Sequence, residues 1–233
     1  MSIQAGYMPV SEAQSEERAA FIRRTYLHLA GAVAFFIGLE ALLIHSPFAL
    51  AMLRFIAKNQ YGWLLILGAF VLAGWFARSL AASAKSVGVQ YAGLALYVVA
   101  EAVIFAPILL IAAYYSSPDV LPNAAILTGL LFAGLTAVVF TTRTDFSFLR
   151  SALTIGGFIA MGMIIGSILF GVTLGLFFSA AMVILASGSI LYDTSKIMRA
   201  YSTDQHVAAS LELFASVALL FWYILRLFMS RRD

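Results

Sequence analysis

Residues 89–113 read VQYAGLALYVVAEAVIFAPILLIAA, a run that carries a single charge, Glu101, and a single helix breaker, Pro107. A hydrocarbon core of roughly 30 Å needs about 20 such residues in a helix. In lipid a helix is also the way one segment can satisfy its own backbone donors and acceptors. The stretch is therefore a membrane span, and the rest of the chain repeats its character. Further apolar runs lie at roughly 27–45, 62–80, 123–141, 149–170, 174–197 and 207–229. The expected fold is all-α: a polytopic bundle of seven transmembrane helices over residues 27–233, preceded by a polar segment, 1–26.

The joints between the runs carry turn signals. Ser46-Pro47, Ser116-Ser117-Pro118 and Pro122-Asn123 read as loops. Asp145 and Ser147 are expected to cap the fifth span, and Gly171 and Gly175 bracket a tight turn that separates it from the sixth. Ahead of the first span, Ser11 to Thr25 reads as a short surface helix, with a capping box at Ser11 and Gln14 and acidic residues in its first turns.

Composition agrees: 63% of the 233 residues are hydrophobic and 11% charged, against about a quarter charged in soluble domains. The net charge of +3 is spread singly between apolar runs, so no basic stripe is available to a nucleic acid. Cysteine is absent, which excludes disulfides and thiolate metal sites. His28, His45 and His206 show no metal-ligand spacing, and no cofactor is implied. Residues 1–20 lack the basic start and short apolar core of a cleavable signal.

The basic residues set an orientation. With the N-terminus in the cytoplasm, the inner side holds Arg18, Arg23, Arg24, Arg78, Lys85, Arg143, Arg150, Lys196 and Arg199; the outer side holds Arg54, Lys58, Arg231 and Arg232. Nine against four follows the positive-inside rule. Gly162 and Gly166, with Gly156, Gly157 and Ala160, suggest close helix contacts along the fifth span. No repeat of fixed period points to an inverted-repeat transporter.

Charges inside the spans carry the functional reading, because each costs at least ~2.5 kcal/mol at mid-bilayer unless it has a partner or a cavity. Arg78, Asp193 and Glu212 fall at similar depth on three helices and are expected either to form an ion-paired, titratable cluster or to snorkel separately to the headgroups. Asp193 is too short to snorkel. Glu40 reads as interfacial. Glu101 reads either as a buried, hydrogen-bonded acid or as the lining of an ion path. No hydrolase or metalloprotease motif occurs, the last span has no lysine for a Schiff base, and no enzyme activity is expected.

Gly188-Ser189-Ile190-Leu191-Tyr192-Asp193-Thr194-Ser195-Lys196-Ile197 resembles the signature of the Bax inhibitor-1 (transmembrane Bax-inhibitor-motif) family. Phe140-Thr141-Thr142-Arg143-Thr144-Asp145-Phe146-Ser147-Phe148-Leu149 resembles that family's loop between spans four and five, and Tyr223 to Phe228 its last span. The resemblance implies a bacterial inner-membrane protein whose last helix is central. It further implies a pH-sensitive calcium (cation) leak channel in which an acid pair, near a basic residue of span two, acts as sensor and latch. Asp193 matches the first acid and Arg78 the basic residue. Ser216 stands where the second acid is expected, with Glu212 one turn earlier on the same face. The alternative implied by the same resemblance is a non-conducting regulator that restrains a membrane-bound AAA protease, a branch that carries Ser at that position.

The orientation is testable in this cysteine-free chain. An impermeant thiol reagent applied to intact cells should label Ser117→Cys and leave Ser147→Cys untouched; the reverse pattern inverts the topology.

Overall fold

The computed structural model describes residues 9–83 and 86–230. Lys85, Arg231 and Arg232, which entered the charge count, lie outside the described residues, as does the start of the polar segment. Eight helices lie among the described residues: α1 (Ser15–Ile44), α2 (Pro47–Lys58), α3 (Gly62–Ala81), α4 (Val87–Tyr114), α5 (Val120–Thr142), α6 (Leu149–Phe170), α7 (Leu176–Arg199) and α8 (His206–Ser230). Seven of them, all but α2, are long and apolar enough to cross a membrane. The chain is an all-helical, seven-span membrane protein.

Several local readings change. Pro122-Asn123, read as loop, lies in the first turn of α5, which starts at Val120. The polar turns and the first span are one helix: α1 runs unbroken from Ser15 with Gln14 at its N-cap. Ser11 precedes it in a turn, where its carbonyl accepts from Arg18. The Ser46-Pro47 signal, read as loop, starts α2, because Ser46 accepts the Phe48 N–H as an N-cap and Pro47 fits the first helical turn, where an N–H would go unused. Ala49 of α2 is buried beside Ala106 and Leu110 of α4, so α2 lies over α1 and α4 at the end of the bundle remote from the N-terminus.

Asp145 does not cap α6. Its carboxylate accepts the Ser147 N–H in a turn one step earlier, and Phe148 occupies the N-cap. That hydrogen bond holds the Asp145 carboxyl below its ordinary range. Gly171 ends α6 in the left-handed region (φ 68°) and Gly175 opens α7, so the turn between them is the break that the glycines suggested.

α8 packs against α1, α3, α4, α5 and α7, and is as deeply buried as α4. α6 stays at the rim, with Ala160 its one buried residue. Gly162 has nothing near the position of a Cβ, and Gly166 meets only Phe170 of its own helix, so these two glycines make no contact between helices. Gly156 and Ala160 of the same region do meet α7: a Cβ on Gly156 would stand 2.6 Å from Leu185 Cδ1, and Ala160 is buried with Phe178 and Met182. The tightest backbone approach lies elsewhere. A Cβ on Gly93 of α4 would stand 2.5 Å from the Ala81 nitrogen and 2.6 Å from the Ala77 carbonyl of α3. Glycine at 93 thus lets two backbones touch, as small residues do in membrane bundles.

Gly93→Ala must therefore push α3 off α4. A loss of about 1–3 kcal/mol is expected, read as a lower thermal midpoint in detergent, while Gly162→Ala leaves the midpoint unchanged.

Candidate functional site

The α3–α4 contact sets up everything around Arg78. Gly74 and Ala77 bring the last turns of α3 against Tyr97 of α4, and the Arg78 guanidinium lies over the Tyr97 ring, 4.8 Å from its centroid. One Arg78 N–H donates to the Tyr97 hydroxyl at 3.3 Å, and Nε faces Glu212 Oε1 of α8 at 3.4 Å. One turn further along α4, the Glu101 carboxyl is within reach of the same Tyr97 hydroxyl. Residues 97 and 101 share a helical face, a spacing that could have paired them from sequence.

Asp193 is held separately. It is 8% exposed, and its Oδ2 accepts a 2.6 Å hydrogen bond from the Ser216 hydroxyl of α8. The expected pairings of Asp193 with Arg78 or with Glu212 do not form. Glu212 and Ser216 occupy one face of α8 but point apart, the former to α3 and the latter to α7. The geometry is thus two neighbouring links, Arg78–Glu212 and Asp193–Ser216, rather than a carboxylate pair.

All these groups line one cleft of about 930 Å³ between α3, α6, α7 and α8, with Glu101 on its wall. It exists because α6 leans on α7 and barely meets α3. Its walls are largely apolar, including Trp63, Leu67, Met161 and Ile164. The side chains of Arg78 and Glu212 are 41% and 32% exposed. An ion pair so open is costly against acyl chains, so this part of the cleft is suited to water or a polar partner. Among the described residues no three acidic or histidine side chains converge as a metal cage.

Glu40 departs from its interfacial reading. It is 5% exposed, packed between helices, and neither carboxyl oxygen has a hydrogen-bond partner. Sequence spacing gave no warning, because burial there depends on α4 and α2 closing over α1. Spacing was equally silent on His28 and His206, 178 positions apart, whose rings meet at 4.9 Å, with His28 also bonded to the Tyr91 hydroxyl.

At the same end of the bundle three connections are tied together. Val10 N–H donates to the Tyr201 carbonyl, and Arg18 grips the Val10 and Ser11 carbonyls. Phe146 N–H donates to the Ser195 hydroxyl, and Arg199 donates to the carbonyl of Arg143, a residue in the left-handed region at φ 53°. The N-terminal turn, the α5–α6 loop and the α7–α8 loop form a single cap beside the Asp193–Ser216 link.

Relatives give this arrangement a context. The chain is 37% identical over 111 residues to an uncharacterised protein of Pseudomonas aeruginosa, covering 47% of this chain and 50% of that one. It is 35% identical over 104 residues to the Escherichia coli protein named modulator of FtsH protease YccA, covering 44% and 47%. A vaccinia virus Golgi anti-apoptotic protein is 32% identical over 113 residues, 46% of each chain. The chain spans about half the length of the curated relatives it matches. Residues 18–233 match the profile described as inhibitor of apoptosis-promoting Bax1, and the chain belongs to that family.

Proposed function

We propose that the chain is a non-enzymatic membrane regulator that binds and restrains a membrane-bound AAA protease from within the bilayer. The observation that carries this reading is the 2.6 Å bond from Ser216 to Asp193. A latch that opens by repulsion needs two carboxylates in contact, since like charges close together cannot both ionise cheaply. Here a hydroxyl fills the second place and Glu212 is engaged by Arg78. A neutral donor on a buried acid makes a fixed strut between α7 and α8. The relative named for its action on a protease supports the same direction.

In this reading the strut holds the ends of α7 and α8 in place, and with them the cap of the N-terminal turn and two loops. With the N-terminus in the cytoplasm, that cap faces the side on which an AAA protease has its ATPase. Partner binding then requires no bound metal and no chemistry from this chain.

A second reading rests on a different observation. The cleft brings Arg78, Glu212 and Glu101 to one surface reaching from Arg150 to Arg226, which is the kind of lining that a slow cation leak, calcium included, would use. Calcium entry into dye-loaded proteoliposomes tests it: uptake above that of empty liposomes supports the leak, and uptake equal to theirs removes it.

For the regulator, the test is degradation of a membrane substrate by an FtsH-type protease reconstituted with and without this chain. Slower turnover in its presence is expected; unchanged turnover, with no co-purification of the two proteins, overturns the reading. Ser216→Ala leaves the Asp193 carboxyl without its donor, at an expected cost of about 1–3 kcal/mol. Thermal unfolding in detergent reads that loss, and the same variant should restrain the protease less.

A further inference from the structure

Glu40 belongs to neither link of the cleft. It sits on α1, where both carboxyl oxygens are sealed from solvent and without a hydrogen-bond partner. A bare carboxylate so placed is among the most costly groups a fold can bury. An intramembrane acid of this kind takes a proton or a cation, or finds a partner.

The charged and titratable groups around it define what it can take. From α4 the group acting on it is another acid, Glu101, with the Tyr97 hydroxyl beyond. From α3 comes Arg78, which is committed to Tyr97 and Glu212. Glu212 and Arg226 of α8 line the cleft, and Asp193 of α7 is bonded to Ser216. On α2, Arg54 and Lys58 are exposed, and on α1 itself His45 is exposed and bonded to the Ala41 carbonyl. No described base or cation is bonded to Glu40.

Position supplies the rest. α1 and α4 rise in parallel, as three ring contacts show in succession: His28 with Tyr91, Phe36 with Phe105, and His45 with Tyr114. Phe36 is one turn before Glu40, and Phe105 one turn after Glu101. The touching rings, 5.2 Å between centroids, therefore stand at a level between those of the two acids along the helices, with Phe214 of α8 against Phe36. The acids are separated by about two turns, roughly 11 Å along the axis. Glu101 borders the cleft, whereas Glu40 lies on the far side of the rings, at the level where α2 covers α1 and α4.

We propose that Glu40 is a proton-binding site, loaded from the cleft through Glu101 past the Phe36–Phe105 pair. The proton moves from the Glu101 carboxyl to the Glu40 carboxylate across a transient water when the rings part. Glu101 becomes the carboxylate and is reprotonated from the cleft, so charge and protons balance. Such a site goes beyond the proposed restraint of a protease, and neither needs the other.

Infrared spectroscopy of the full chain in nanodiscs tests it through the carbonyl stretch of protonated carboxyls, followed by hydrogen–deuterium exchange. Glu40→Gln, close in shape and uncharged, should fold and lose one such band. Glu101→Gln should keep the Glu40 band but slow its exchange several-fold. If the Glu40→Gln spectrum matches the wild type across the pH range in which the protein stays folded, Glu40 binds no proton and the proposal falls. If the band is lost but Glu101→Gln exchanges as fast as the wild type, loading through Glu101 is wrong. Addition of sodium, potassium or calcium should leave the band in place; its disappearance would identify a metal-cation site instead.

Discussion

Ser216 reaching across to Asp193 joins α7 to α8 at the end of the bundle that carries the cap of loops. This acid has a donor, and the kind of donor bears on what the neighbouring helices can do. A second carboxylate would make the α7–α8 junction conditional on protonation. With a serine there the junction is a single hydrogen bond, Glu212 faces Arg78, and two neighbouring links stand where one shared cluster was possible. The cap of loops is held at that junction, because Ser195, two residues after Asp193, anchors the α5–α6 loop.

Close backbone approach is the second constraint. Gly93 against Ala77 and Ala81 draws α3 onto α4 and turns Arg78 inward over Tyr97. With α3 engaged there and α6 leaning on α7, the space between them stays open as the cleft. Tight packing on one side of α3 and looseness on the other thus have a common origin in the distribution of small residues.

Most of the architecture was legible because a span announces itself by length and apolarity, which are local properties. The run around Glu101 and the turn at Gly171 fall where the sequence puts them. α2 was missed because twelve residues of mixed character do not make a span, and Ser-Pro was taken for punctuation when it was a helix start. The site was legible in part. Asp193, Ser216, Glu212, Arg78 and Glu101 line one cleft, but which of them touch depends on the rotation of α7 and α8 about their axes, and no one-dimensional spacing records that. Glu40 and the His28–His206 contact are products of tertiary closure and left no mark on the chain. The Gly162–Gly166 pair shows the reverse error, a contact motif with nothing opposite it, whereas Gly156 and Ala160 of the same region do pack on α7.

α1 is continuous over 30 residues, about 45 Å at 1.5 Å each, against a hydrocarbon thickness of roughly 30 Å. Its first turns, with Glu16, Glu17 and Arg18, must therefore stand clear of the acyl chains as a rigid post. No break in the helix separates that post from the buried stretch at Phe36 and Glu40, so the polar turns and the mid-bundle residues belong to one continuous element.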